Sequence, residues 1–426
     1  MGKLQIILLS VGAAAAFVAV LIFAGVLPGF GTDTKELKTA TMWGTIPKQN
    51  MEGILDKLGV APYAIEINYQ QKNPATFERD LIEALAEQAG PDIIIFPSEL
   101  ILEYRDKLTP LPEEFITERI FRDTFSDGTE ILIQESGEIL GLPYLIDPLV
   151  FYYNRDLFRN ESIASAPKTW DAFVSASRRL TKINNGAITQ SGAPLGLESN
   201  VKNFKEIISL LVLQTGAPIV ERSLKVSFSP QGSSADTVQS ALRFYTDFSN
   251  IQKTSYSWSK AMPNSNEAFY RELAATYLGF GSEYPRMKIE NPHINFDITS
   301  VPQISGGKLN LTYGKFLSLG IIEQSRNKTV ALEAIKLLVA GENVKEVSSN
   351  TYLAPSRRDL LGSGTGNAIL DTIYREAVKF KSWPDIEYAR TSGIFSQMIQ
   401  SVYTGAKSEA EASRDAKSQL EALYNQ

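Results

Sequence analysis

A chain of 426 residues exceeds what one hydrophobic core ordinarily supports, so two lobes are the expectation. With 43% hydrophobic and 21% charged residues and a formal net charge of −6, the composition is that of a soluble protein, and no Lys/Arg stripe is available to hold a nucleic acid. Cysteine is absent and His293 is the single histidine, which excludes disulfides, thiol catalysis, Cys-type metal sites and a lipidated cysteine anchor, and argues against a Ser-His-Asp triad or a His-rich metal site; no cofactor is expected.

Leu4 to Leu27 is apolar apart from polar interruptions such as Gln5 and Ser10, and as a helix it would measure about 36 Å, enough to span a bilayer. Lys3 and the terminal amine precede it, which places Met1 in the cytoplasm and the chain after Pro28 outside. A cleaved signal peptide is the alternative, but its apolar core is usually shorter, and AGVLPGF (Ala24–Phe30) offers no A-x-A site. Residues 1–30 are therefore expected to be an anchor and residues 31–38 a tether, since PGFGTDTKELK is poor in core-forming groups.

From there the pattern is α/β. Leu37–Trp43 reads as a strand, Met51–Leu58 as a helix and Tyr63–Tyr69 as a strand. Pro74–Gln88 reads as a helix with Phe77, Leu81 and Leu85 on one face and Gly90 as its stop. Ile93–Phe96, IIIF, is the continuous apolar run of a strand covered on both faces, so parallel βαβ units are implied. In GLPYLIDPLVFYYNRDLF (Gly141–Phe158), Pro143 and Pro148 restrict the backbone on either side of a lone acid, Asp147, and a β-branched and aromatic run follows. A carboxylate there is costly to bury unless something pairs with it.

Thr169 reads as the N-cap of a helix, and helix signals dominate Val201–Asn250. Ser265–Met287 reads as helix, strand and a turn holding Glu283 and Tyr284. Ile298–Gln303 reads as a short strand and Phe316–Ile322 as another. Thr329–Ala340 reads as a helix closed by Gly341, and Ser408 with Glu411 as a capping box opening the last helix. No internal repeat is present, and GSGTG (Gly362–Gly366) and GFG (Gly279–Gly281) lack the context of a phosphate loop.

The order of these pieces resembles the extracellular solute-binding proteins of ABC importers, in particular the maltose-binding-protein-like cluster. The resemblance covers nearly all of Lys38–Gln426. It is carried by GPDIIIF with LTPL (Leu108–Leu111), by GLPYLIDPLVFYYNRDLF with APKTWDAF (Ala166–Phe173), by AFYRELAATYLGFGSEY (Ala268–Tyr284), by VPQ (Val301–Gln303) and by YLAPSRRDL (Tyr352–Leu360). It implies an α/β, two-lobed Venus-flytrap fold, which the apolar Leu4–Leu27 stretch would precede as one N-terminal transmembrane helix. Residues 39–146 plus 303–348 would form one lobe and 149–299 plus 355–426 the other. Crossings would fall near Leu145–Leu149, Ser300–Gln303 and Ser348–Pro355, with a small solute held in the cleft.

Ligand contacts are expected after the strands. Trp43 can stack on the apolar face of a sugar, or else be a core tryptophan. Ser98 and Glu99 follow the IIIF strand and point toward the cleft, in a loop unlike that of maltose binders. By resemblance Asp147 is an acidic ligand contact, and the alternative is a hinge carboxylate bonded to backbone N–H groups. Tyr284, ahead of Glu283, is the stacking aromatic, and Trp258, Trp383 and Phe395 are further aromatic candidates. His293 reads as a surface residue.

The expected function is a membrane-anchored, monomeric substrate-binding subunit that hands a small polar solute, by preference a carbohydrate, to ABC permease subunits without doing chemistry. Rival readings are a polyamine or other cationic-solute binder, with Asp147, Glu99 and Glu283 neutralising amines. A sensor lobe acting through a partner is another, and a glycoside hydrolase using Glu99 and Asp147 is the most remote.

Overall fold

The computed structural model describes residues 37–60 and 62–425, so the expected membrane helix and most of the tether lie outside the described residues. Among the described residues no helix is long and apolar enough to cross a membrane. The strands are β1 (Lys38–Gly44), β2 (Ile65–Gln71), β3 (Ile93–Pro97), β4 (Leu142–Asn154), β5 (Lys182–Asn184), β6 (Ala187–Gln190), β7 (Thr276–Phe280), β8 (Phe296–Thr299), β9 (Thr312–Ile321), β10 (Ala354–Pro355) and β11 (Phe380–Lys381).

The first sheet runs β2-β1-β3-β9-β4-β10, with β1 parallel to β2 and β3, and β9 antiparallel to β3 and β4. The helices Glu52–Gly59 and Phe77–Ala86 connect its parallel strands, with Phe77, Leu81 and Leu85 buried on one face as their fourfold spacing requires. Asp92 fastens this sheet. Its carboxylate accepts from the N–H and hydroxyl of Thr41 at 2.8 and 3.0 Å and from the Ser325 hydroxyl at 2.6 Å. Burial alone would raise its pKa, but these bonds outweigh it and hold the carboxyl below its ordinary value.

β4 is the long member, thirteen residues, and it belongs to two sheets. Leu142–Pro148 pairs with β9, the last pair being Pro148 with Gly314; from Leu149 the same strand pairs with β7, and from Phe151 also with β8. Its side chains alternate accordingly. Leu149 and Phe151 join one hydrophobic core, Val150 and Tyr152 the other. A strand covered on both faces reads as an unbroken apolar run, which is why LVFYY carries no polar residue. At its start a Cβ on Gly141 would meet the Leu319 carbonyl oxygen at 2.6 Å, so the close approach of β4 to β9 there requires glycine.

The second core is mainly helical. Trp170, Phe173, Phe248 and Trp258 pack with residues of Phe204–Leu213, Thr237–Thr246, Tyr388–Tyr403 and Glu409–Tyr424. Thr169 accepts from the Ala172 N–H, and Ser408 and Glu411 form a reciprocal capping box, as their spacing predicts. Three expectations need correcting. The strand expected at Ile298–Gln303 lies at Phe296–Thr299, because Val301 and Pro302 lead out of the sheet. The helix expected to be closed by Gly341 ends at Leu338, and Gly341 opens the next one, Gly341–Thr351. The helix expected from Pro74 begins at Phe77.

Candidate functional site

A cavity of about 730 Å³ opens where β4 leaves β9 for β7 and β8. The first-sheet side supplies Thr45, Phe77, Glu78, Glu99, Glu103 and Leu353; the strands themselves supply Asp147, Lys315 and Phe316; the opposite wall supplies Ser282, Glu387 and Tyr388. Thr45, Glu99 and Ser282 follow β1, β3 and β7 in the chain, the usual place for ligand groups in open α/β sheets.

Asp147 is the innermost carboxylate, with only 6% of the residue exposed. Its Oδ1 accepts the Ser282 N–H at 3.0 Å and its Oδ2 the Ser282 hydroxyl at 2.5 Å, so it ties the crossing strand to the turn after β7. Burial pushes its pKa up to about 6, against the attraction of Lys315 and the Ser282 bonds. Because the folded value lies above the unfolded one, the folded chain binds this proton more tightly, and stability falls as pH rises from about 4 to above 6. The difference is worth about 3 kcal/mol. Asp147→Asn keeps an acceptor for the Ser282 N–H and does not titrate. Urea midpoints measured from pH 4 to 8 should therefore show wild type losing stability relative to this variant, and a constant difference across that range would contradict the assignment.

Lys315 is the register partner of Asp147 across β4 and β9. Its Nζ lies 4.3 Å from the Phe280 ring centre and makes no hydrogen bond among the described residues. Burial would lower its pKa, but Glu99, Asp147, Glu206 and Glu283 together raise it, so it stays an ammonium. An ammonium with unfilled donors inside a cavity is a ready partner for ligand oxygens. Tyr388 forms the opposite wall. It is 41% exposed, its hydroxyl donates to Glu206 Oε1 at 2.8 Å, and Lys205 Nζ lies 4.1 Å from the ring centre. An exposed ring fixed from behind is a stacking platform.

The sequence-derived candidates divide sharply. Glu99 and Asp147 line the cavity. Ser98 is 3% exposed; its hydroxyl donates to Glu99 Oε2 at 2.9 Å and accepts the Phe316 N–H, so it orients Glu99 and does not itself line the space. Trp43 belongs to the first core, and Lys72 Nζ lies 3.4 Å from its ring centre, so the protein's own ammonium covers that ring. Glu283 is consumed internally, accepting from Lys202, Tyr277, Asn203 and the Phe280 N–H. Tyr284 stacks on Tyr352 at 5.4 Å and packs on Phe296, outside the cavity lining.

Trp258 is wholly buried, with its indole N–H on Asn200 Oδ1 at 2.8 Å. Phe395 is 1% exposed and stacks on Trp383, whose indole N–H donates to Ser209. Trp258 and Trp383, in connecting segments, and Phe395, on the helix Tyr388–Tyr403, all belong to the second core. His293 is exposed. Sequence reasoning missed Tyr388 and Lys315. A lysine inside the apolar strand YGKFLSL was a usable signal for the second.

A continuous strand, β4, shared by two sheets, two cores and a cleft at the crossing define a two-lobed α/β binding protein. Residues 51–345 match the family described as bacterial extracellular solute-binding protein, and the chain belongs to that family. Among curated proteins it is 21% identical over 408 residues to the diacetylchitobiose binding protein DasA of Streptomyces coelicolor, covering 93% of this chain and 91% of that one. Among solved structures it is similar to the cyclic alpha-maltosyl-1,6-maltose binding protein of Arthrobacter globiformis, with a TM-score of 0.78 at 17% identity over 91% of this chain and 99% of that one. It also resembles the GacH receptor of Streptomyces glaucescens, solved unliganded and in complex with acarbose, with a TM-score of 0.71 at 15% identity over 92% and 99% of the two chains.

Proposed function

We propose that this protein is the substrate-binding subunit of an ABC importer, capturing a carbohydrate in the cleft between β4, β9 and Tyr388 and passing it to permease subunits. The observation that carries this reading is the cavity of about 730 Å³ with an exposed tyrosine on one wall and hydrogen-bonding groups on the other. That is the combination a sugar needs: an apolar ring face to stack and hydroxyls to bond. The relatives named above are described as binding saccharides or as complexed with acarbose, which supports the same class.

In this reading residues 39–146 with 303–348 form one lobe and 149–299 with 355–426 the other. The hinge lies where β4 changes sheets at Pro148 and Leu149, and in the two further connections near Ser300–Gln303 and Ser348–Pro355. Leu4–Leu27 anchors a monomer to the membrane with both lobes outside. No chemical step is assigned to the site: Asp147 is tied to Ser282 and Glu99 to Ser98, and the relatives named above are described as binding proteins or receptors. A thermal-shift panel of neutral oligosaccharides against putrescine and spermidine tests the ligand class. Stabilisation by saccharides is the expected result, and a shift with the polyamines alone would contradict it.

A further inference from the structure

The cavity wall is unbalanced in charge. Five carboxylates, Glu78, Glu99, Glu103, Asp147 and Glu387, face one ammonium, Lys315. Asp147 and Glu99 accept from Ser282 and Ser98. Glu78, Glu103 and Glu387 remain, and they come from different elements: Glu78 from the first turn of Phe77–Ala86, Glu103 from Ile101–Tyr104, and Glu387 from the N-cap of Tyr388–Tyr403 across the cleft. Glu78 and Glu103 line the same space, and the charge of the one works against ionisation of the other. Burial, then Glu78, pushes Glu103 up to about 7, with Glu387 adding and Lys107 opposing. The Lys107 ammonium is engaged elsewhere, donating to the Glu103 carbonyl at 2.8 Å, and Glu387 accepts from Arg390 Nη1 at 3.3 Å, an exposed pair in which Arg390 stands outside the cavity lining.

Independently, Lys315 presents unfilled donors to the same space, so the cavity lacks a partner at both ends. Resting on the carbohydrate reading above, we propose that the ligand is a saccharide bearing a protonated amine. Its ammonium lies between Glu78 and Glu103 and meets Glu387 from the other lobe, its ring lies on Tyr388, and its oxygens accept from Lys315. An ammonium supplies three donors to carboxylates that otherwise repel, and it draws the two walls together as the cleft closes. Acidic saccharides would be rejected by the same wall.

The test is calorimetric titration of the full-length chain at pH 7 and low ionic strength with chitobiose and with N,N′-diacetylchitobiose. These disaccharides differ only in whether the nitrogens are amines or amides. Wild type is expected to bind chitobiose about tenfold or more tightly than the diacetylated form, as one charge-assisted contact implies. The Glu78→Gln/Glu103→Gln pair should bring that ratio to about one. Glu387→Gln, at an exposed helix start, should reduce it even if the double variant fails to fold. Equal or tighter binding of the diacetylated sugar by wild type would overturn the proposal while leaving the carbohydrate reading intact. If neither disaccharide binds but neutral glucans do, the amine preference is likewise overturned. Binding of no saccharide at all would overturn the carbohydrate reading and this inference with it.

Discussion

Tyr388→Ala should weaken saccharide binding by one to two orders of magnitude, about 1.5–3 kcal/mol, while lowering the stability of the unliganded chain by no more than about 1 kcal/mol. The asymmetry follows from placement. The ring is 41% exposed and lines the cavity, so its open face contributes little to folding. Behind it, Glu206 accepts the hydroxyl and Lys205 lies against the ring, so the platform needs little ordering when a sugar arrives. Tyr388→Phe keeps the ring and loses only the Glu206 bond, and should retain most of the affinity. Titration calorimetry paired with urea unfolding separates the two effects. If alanine costs stability as much as it costs binding, Tyr388 is a structural residue.

The second large effect lies directly beneath that ring. Lys205 and Asp385 form an ion pair whose side chains are only 2% and 6% exposed, and Lys205 also donates to Thr391 Oγ1 at 2.7 Å. Burial raises the Asp385 pKa, with Lys205 and Thr391 opposing. Removing one partner leaves the other charge uncompensated inside the second core, so Asp385→Ala should destabilise the fold by about 3–5 kcal/mol. Replacing both, as in Lys205→Met with Asp385→Leu, should cost much less than either single change, because no buried charge is then left behind. Denaturant unfolding of all three variants checks this. Additive losses would show that the pair does not act as a unit.

Sequence periodicity located most strands and several helices because the dominant signals are local: the IIIF run of β3, the fourfold spacing of Phe77, Leu81 and Leu85, the Ser408 capping box. The sheet change inside β4 is visible as a proline-flanked acid before an apolar run, since Pro148 stands at the last pair with β9. The cavity was less legible. Trp43, Tyr284, Trp258 and Phe395 are aromatics in plausible chain positions, but what decides their role is the facing of neighbouring elements, and they turn into cores or onto Lys72 and Tyr352. Tyr388 opens a helix whose central aromatic, Phe395, is buried, and a helix that lends one face to a core and its N-terminus to a cleft carries both patterns at once. Lys315, 168 positions further along the chain, meets Asp147 only through strand register, which no local pattern encodes.

The most direct measurement of the central claim is small-angle scattering on the full-length chain in detergent, recorded along the same oligosaccharide titration that reports binding by calorimetry. Capture in an interlobe cleft predicts saturable binding with a fall in the radius of gyration that follows occupancy and is lost in Tyr388→Ala at matched sugar concentration. Saccharide binding at full occupancy in Tyr388→Ala with an unchanged affinity would place the sugar elsewhere on the molecule and contradict the account.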